Sequence, residues 1–143
     1  MPHFNPYESL GFHCNLTLKA FVGSLEGKLK GTGVSQAQFR ALAHLVALGP
    51  LPLSELADRL SITAATAVRL VDRMERDGWV TRKADLEDGR VKRIELTNEA
   101  TAVWAKVSSA GRELLSEAYK DIPADEIEAV KNILERVRRN LGA

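Results

Sequence analysis

Thr63-Ala64-Ala65-Thr66 opens a run that continues through Val68, Arg69, Arg73 and Arg76 and stops at Gly78. Two hydroxyls can each donate or accept a hydrogen bond, and the guanidinium groups can grip anionic or planar acceptors. A second group of the same character follows, with Arg82, Lys83, Asp88, Arg90, Lys92 and Arg93 spread around Asp85-Leu-Glu-Asp-Gly-Arg90. This is the chemistry of gripping and reading a partner, and none of it makes or breaks bonds. Elsewhere the chain offers one cysteine, Cys14, and three histidines, His3, His13 and His44, with no carboxylate or cysteine at ligand spacing. A nucleophile–base pair, a phosphate-binding glycine loop and a convergent acid cluster are all missing from the pattern. The expectation is a protein that is not an enzyme, with no cofactor and no metal.

The elements that must position these residues follow from spacing. Leu10, Cys14, Leu18, Phe21, Val22, Leu25 and Leu29 recur three and four apart, which predicts a long amphipathic helix ending near Gly31-Thr-Gly33. Ser35-Gln-Ala-Gln38 reads as a capping box for a second helix, with Phe39, Leu42 and Val46 inward and Gly49 as its stop. Pro50 and Pro52 keep the next residues extended. A short helix is expected at about Ser54–Leu60, then a tight turn at Ser61-Ile62. Thr63 caps a fourth helix whose inward face is Ala67, Leu70, Val71 and Met74.

The period then changes to two. Trp79–Lys83 and Val91–Leu96 read as strands, with Ile94 and Leu96 on one face and Arg93 and Glu95 on the other. Asp85–Arg90 is the loop between them, with Gly89 for the turn. Thr97 or Asn98 caps a helix carrying Val103, Trp104, Val107, Leu114, Leu115 and Ala118. Asp121-Ile-Pro-Ala124 breaks it, and a last helix carries Ile127, Val130, Leu134, Val137 and Leu141.

Two short helices joined by a tight turn and followed directly by a hairpin make a winged helix-turn-helix. The fold class is therefore mainly α with a small β-hairpin wing (α+β), plus a helical lobe built from the chain ends. The expected division is 1–34 for an N-terminal dimerisation helix, 35–98 for the winged helix-turn-helix, and 99–143 for the C-terminal helices of the dimerisation lobe.

That order of elements explains the small, uncharged first turn of the fourth helix. A major groove about 12 Å wide admits a helix whose leading side chains do not hold it away, and an acid there would meet phosphates. Thr66 can bond a base or phosphate and Arg69 can reach a guanine or the backbone, while Ala64, Ala65 and Val68 offer methyl groups suited to thymine. Direct readout should be sparse, with a sizeable share from phosphate contacts and duplex shape. Arg90 at the wing tip can enter a narrow minor groove, and Asp88 is placed to hold its guanidinium. The candidate DNA contacts are Thr63, Ala64, Ala65, Thr66, Val68, Arg69, Arg73, Arg82, Lys83, Asp88, Arg90 and Lys92. An exposed run of good helix formers beside an ordinary solvated hairpin would look the same.

With 20 basic and 19 acidic residues the net charge is +1, so binding to a polyanion has to rest on where charges sit rather than on their sum. A chain of 143 residues, 45% hydrophobic and 27% charged, suits a globular domain. A single cysteine precludes an internal disulfide and fits a reducing compartment. The amino terminus lacks a signal-peptide pattern, and no apolar run approaches the roughly 20 residues needed to span a bilayer. A cytoplasmic location with no membrane partner is expected.

Leu53-Ser-Glu-Leu-Ala57, the stretch Thr66–Gly78, Asp85–Arg90 and Ile94-Glu-Leu-Thr97 together resemble the MarR family of bacterial winged-helix regulators. The resemblance implies a homodimeric transcriptional regulator, a repressor, with Thr63–Asp77 as recognition helix, Arg90 as wing arginine and Asp72 as a helix acid bracing the wing. Positions 64, 65 and 68 are less polar than is usual there, and Ala100 stands where a glycine is common.

The Ile127–Leu141 seam is too apolar for a terminal helix to expose and has coiled-coil spacing. With Leu10 and Leu18 it nominates Ile127, Val130, Leu134, Val137 and Leu141 as the dimer contact, or else a surface packed on the first helix of the same chain. Twofold symmetry would set two recognition helices about 34 Å apart on a pseudo-palindromic operator. The resemblance further implies release by a small aromatic effector, for which Phe12, His13, Phe39, His44 and Trp104 are candidates, though Phe39 and Trp104 also fit a plain core. Cys14 lies on the apolar face and reads as a buried structural residue, with a redox-sensing regulator as the alternative. A winged-helix protein-interaction module without DNA binding is the remaining competitor.

Overall fold

The computed structural model describes residues 3–143. Among these, the three-and-four spacing folds as six helices: α1 (Leu10–Leu29), α2 (Gln36–Leu48), α3 (Leu53–Leu60), α4 (Ala64–Arg76), α5 (Asn98–Ala118) and α6 (Ala124–Asn140). The period-two segments form β2 (Val80–Ala84) and β3 (Lys92–Leu96), and a two-residue strand, β1 (Leu51–Pro52), joins them. The sheet is antiparallel in the order β1-β3-β2, with Leu51 and Arg82 both opposite Ile94. Its strands start and end within a residue or so of expectation. The extension around Pro50 and Pro52 was legible, but its pairing with β3 was not, because a local pattern does not name a distant partner.

The caps are mostly those the residue types require. Ser35 Oγ accepts from Gln38 N at 3.1 Å while Gln38 Oε1 accepts from Ser35 N at 3.0 Å, a complete capping box at α2. The same Gln38 is buried and reaches Asp77 Oδ2 at 3.4 Å, tying the start of α2 to the end of α4. α3 starts one residue early, at Leu53, with Pro52 before it and no side-chain cap. It ends on Ser61 in the left-handed region at φ 55°, so a non-glycine residue makes the turn of the helix pair.

α4 is closed at both ends. Thr63 Oγ1 accepts from Thr66 N at 3.2 Å. At the other end Gly78 has φ 81°, its N–H reaches Glu75 O at 3.0 Å, and Trp79 N reaches Met74 O at 2.9 Å. That paired 6→1 and 5→2 arrangement satisfies the last carbonyls and needs a residue free to take positive φ. Of its inward face, Ala67, Val71 and Met74 have no solvent exposure, and Leu70 is half-buried.

One core joins Leu25 and Leu29 of α1, Leu42 and Leu45 of α2, Leu56 of α3, Val71 and Met74 of α4, Ile94 of β3 and Val107 of α5. It therefore runs through all three segments of the expected division. α6 buries no residue. Val130 and Ile133 stay about half exposed, and Ile127, Leu134 and Val137 are only partly covered. The first half of α1 is likewise open, with Leu10, Leu16 and Leu18 exposed.

Cys14 is a correction. It is exposed rather than buried, on the same open half of α1 as Leu10 and Leu18. The apolar spacing identified the face correctly but could not say whether the covering surface lies within the chain. No helix among the described residues is long and apolar enough to cross a membrane.

Thr97 links the two halves. Its hydroxyl donates to Gly78 O at 2.6 Å and accepts from Ala100 N at 3.2 Å, so one side chain caps α5 and pins the end of α4. Thr97→Val keeps the shape and removes both bonds. It should lower unfolding stability by about 1–2 kcal/mol in denaturant titration, whereas Thr101→Val, on the exposed side of α5, should change it by less than about 0.5 kcal/mol.

Candidate functional site

Because α4 turns 100° per residue, its buried face fixes what points out. Ala65, Arg69 and Arg76 lie opposite the core. Ala64, Val68 and Glu75 form the flank toward the wing, and Thr66 and Arg73 the flank toward α2. Arg73 borders a shallow groove with Lys30, Ser35 and Gln36. Ala64, Ala65, Arg69, Arg73 and Arg76 are all exposed, and Val68 keeps 39% of its surface in solvent.

The polar groups of the first turn largely satisfy one another. Thr63 Oγ1 donates to Thr66 Oγ1 at 2.9 Å, and Arg69 Nη2 reaches the same Thr66 oxygen at 3.4 Å. No acid stands in this turn. The positive end of the helix is therefore left uncompensated by side-chain charge.

The wing is joined to α4 by charge. Arg82 Nη2 donates to Asp72 Oδ1 at 2.5 Å and Arg82 Nη1 approaches Glu75 Oε1 at 3.2 Å. Asp72 thus holds the wing from the helix, and the strand partner is Arg82. This corrects Arg82 as a candidate contact: its guanidinium is committed to two carboxylates and mostly covered. Lys83 lies 3.5 Å from Glu95 across the strand pair, an exposed pairing worth little.

The loop tip is organised by Asp85, not by the glycine. Asp85 Oδ1 accepts from Glu87 N at 2.8 Å and Asp88 N at 3.2 Å, while Oδ2 accepts from Arg93 Nε at 2.6 Å. The Glu87 amide first, then the Arg93 guanidinium and the Asp88 amide, hold this carboxyl below the usual carboxylate range. Gly89 does not take a positive φ, so the expected glycine turn is replaced by an aspartate-centred one. The role expected of Asp88 also changes. Its Oδ1 accepts from the backbone N–H of Arg90 at 3.0 Å, and the Arg90 side chain stays exposed, as does Lys92. Asp88 shapes the loop beneath Arg90 and does not grip its guanidinium. Leu86, fully exposed beside them, was not singled out from sequence.

The five residues nominated for an effector do not converge. Phe39 and Trp104 stack with ring centroids 5.2 Å apart, and Phe39 belongs to the core, pressed toward Gly111. Phe12 packs edge-on against Tyr7 at 4.6 Å, with His13 beside it, near the start of α1. The core contacts of α1 at Leu25 and Leu29 lie at least 13 residues further on, about 20 Å along the axis. His44 sits on α2, and burial first, then the nearby Arg59 and Arg40 charges, lower its pKa. A larger apolar groove of about 600 Å³ lies elsewhere, between α1, the end of α5 and α6, along Phe21, Leu114, Tyr119, Ile127, Val130 and Leu134.

Comparison with known proteins agrees with this geometry. A model described as MarR family matches residues 34–92. The uncharacterized HTH-type transcriptional regulator YsmB of Bacillus subtilis (strain 168) is 27% identical over 108 residues, 76% of this chain and 74% of that protein. A MarR-family transcriptional regulator from Silicibacter pomeroyi superposes with TM-score 0.81 at 26% identity, over 91% of this chain and 88% of that one. A point mutant of MarR from E. coli, solved in complex with operator DNA, gives TM-score 0.78 at 24% identity, over 94% of this chain and 99% of that one.

The wing loop makes a titration test. A depressed folded pKa means that the Asp85 contacts contribute fully above the unfolded value, about 3.9, and are lost as pH falls through the lower folded value. The Asp85 carboxyl carbon, followed by NMR, should titrate below a model aspartate. Arg93→Gln should bring it only partway back, because the Glu87 amide is the larger cause. Titration at the model value in the native chain would contradict the loop geometry.

Proposed function

We propose that this chain, which resembles the MarR family over residues 34–92 and presents the second helix of its helix-turn-helix to solvent, is a homodimeric MarR-family transcriptional regulator that binds a pseudo-palindromic duplex operator. The observation that carries the proposal is the outward face of α4: small, acid-free at its first turn, followed by Arg69, Arg73 and Arg76, and flanked by an exposed Arg90 on a wing held in place through Asp72. Helix N–H groups, guanidinium groups and a wing arginine are what a phosphate-lined double groove accepts.

The second copy supplies what one chain lacks. The open faces of α1 (Leu10, Leu18) and α6 (Ile127, Val130, Leu134, Val137), with Leu141 just beyond its end, are too apolar to stand in water, and both belong to the chain ends. Pairing them buries these residues and places the two α4 helices on one side of a duplex. The protein acts as a repressor in this reading, and a small aromatic effector lowers its affinity for DNA. The apolar groove along Phe21, Leu114 and Tyr119 then borders both chains and gives such a molecule a site.

Duplex binding should weaken steeply with salt, log K falling with log salt by about 0.9 per phosphate contacted. Arg90→Ala should cost about 1–3 kcal/mol in DNA affinity at constant salt without changing thermal stability. Electrophoretic mobility and fluorescence anisotropy read both quantities. Absence of duplex binding at low salt would favour a winged-helix protein-interaction module instead.

A further inference from the structure

We infer that the shallow groove between the α1–α2 turn and α4 clamps one backbone phosphate of the duplex, with Lys30 and Arg73 as its two cations. The inference rests on the DNA-binding reading above and extends that interface to a segment outside α4 and the wing.

An α-helix with its side chains is about 10–12 Å across and a major groove about 12 Å wide, so a helix that enters fills it from wall to wall. Long side chains on its flanks then meet the two sugar-phosphate backbones rather than the base edges. On one flank of α4 the wing supplies the cations, Arg90 and Lys92. The other flank carries Arg73, which lies four residues before Asp77 and so on the same face. Asp77 Oδ2 accepts from Gln38 Nε2 at 3.4 Å, which turns that face toward the start of α2. Lys30, the residue that ends α1, lines the same groove as Arg73.

The turn that carries Lys30 is ordered by its own residues. Leu29 and Val34, at its two ends, are 3% and 6% exposed and anchor it in the core. Between them Thr32 Oγ1 donates to Leu29 O at 2.6 Å and accepts from Val34 N at 3.2 Å. Gly31 and Gly33 take φ 79° and 78°, which lets the chain reverse within this short span. Glu26, four residues before Lys30, has the spacing of a helical ion pair. Lys30 sits past the helix at ψ 134°, however, and the pair does not form. Among the described residues neither Lys30 nor Arg73 has a carboxylate partner. Two unpaired cations from different elements therefore border one groove, with Glu26 as the single acid beside them. An anion seated between them replaces their mutual repulsion with two attractions. A duplex held by α4 brings phosphates along this flank.

A phosphate contact has a salt signature that a packing role lacks. Lys30→Gln should reduce the slope of log K on log salt by about 0.9 for each half-site. At 0.1 M salt that is a loss of about eightfold per half-site, with the two curves meeting near 1 M. Lys30 is exposed, so thermal melting should not change. Glu26→Gln removes the acid from the groove and should strengthen binding. Duplexes recovered by repeated binding from a randomised pool are then remade with one methylphosphonate at each position in turn, which deletes single phosphate charges. One position per half-site should weaken the wild type far more than Lys30→Gln. An unchanged salt slope in Lys30→Gln, or equal sensitivity of both proteins at every methylphosphonate position, would overturn the clamp and leave DNA binding intact. Failure of the wild type to bind any duplex at low salt would overturn the DNA-binding reading together with this one.

Discussion

The packing of one helix face controls most of what this protein presents to a partner. Ala67, Val71 and Met74 of α4 are sealed into a core shared with α2, α3, β3 and α5, and burying each large side chain contributes about 1.5–3 kcal/mol. With its inward face fixed, its first turn capped by Thr63 and its end locked at Gly78, α4 has no freedom to rotate. The outward residues are therefore fixed as well. A surface already ordered in the free protein does not lose that freedom again on binding, and so keeps more of its contact energy as affinity.

Charge in this chain is divided by task. Nearly equal numbers of acids and bases give almost no net field, yet the acids are not scattered at random around the site. Asp72 and Glu75 hold Arg82, and Asp85 holds Arg93 and two loop amides. These pairs join wing to helix and loop to strand. Arg69, Arg73 and Arg76 on α4 and Arg90 and Lys92 on the wing remain exposed. Paired and unpaired arginines are thus distinct sets, a distinction invisible in a count of basic residues.

The elements legible in the sequence were those whose signals are local. The Ser35–Gln38 capping box, the Thr63 cap, the Gly78 stop and the Ile94/Leu96 alternation each depend on residues within a few positions, and each folds as its chemistry requires. What could not be read depends on which of several partners a side chain takes, some distant in the chain and some within the same loop. β1 exists because β3 lies beside it. Arg82 is committed to Asp72 and Glu75 on the preceding helix, ten and seven positions back. Asp88 turns to a backbone N–H where a guanidinium was expected, because the Asp85 carboxylate had already set the loop. Cys14 is exposed because periodicity defines an apolar face and is silent on what covers it. The aromatic residues nominated together fall on different elements, Phe12 near the start of α1 and Phe39 in the core on α2, because residue type carries no coordinates.

The account depends on two rigid, outward α4 helices meeting one duplex at once. Hydroxyl-radical footprinting of the full-length protein on a recovered operator measures that arrangement most directly. Two protected patches on the same side of the duplex, about one helical turn apart and related by twofold symmetry, are the predicted pattern. A single protected patch, or protection on opposite sides, would contradict it.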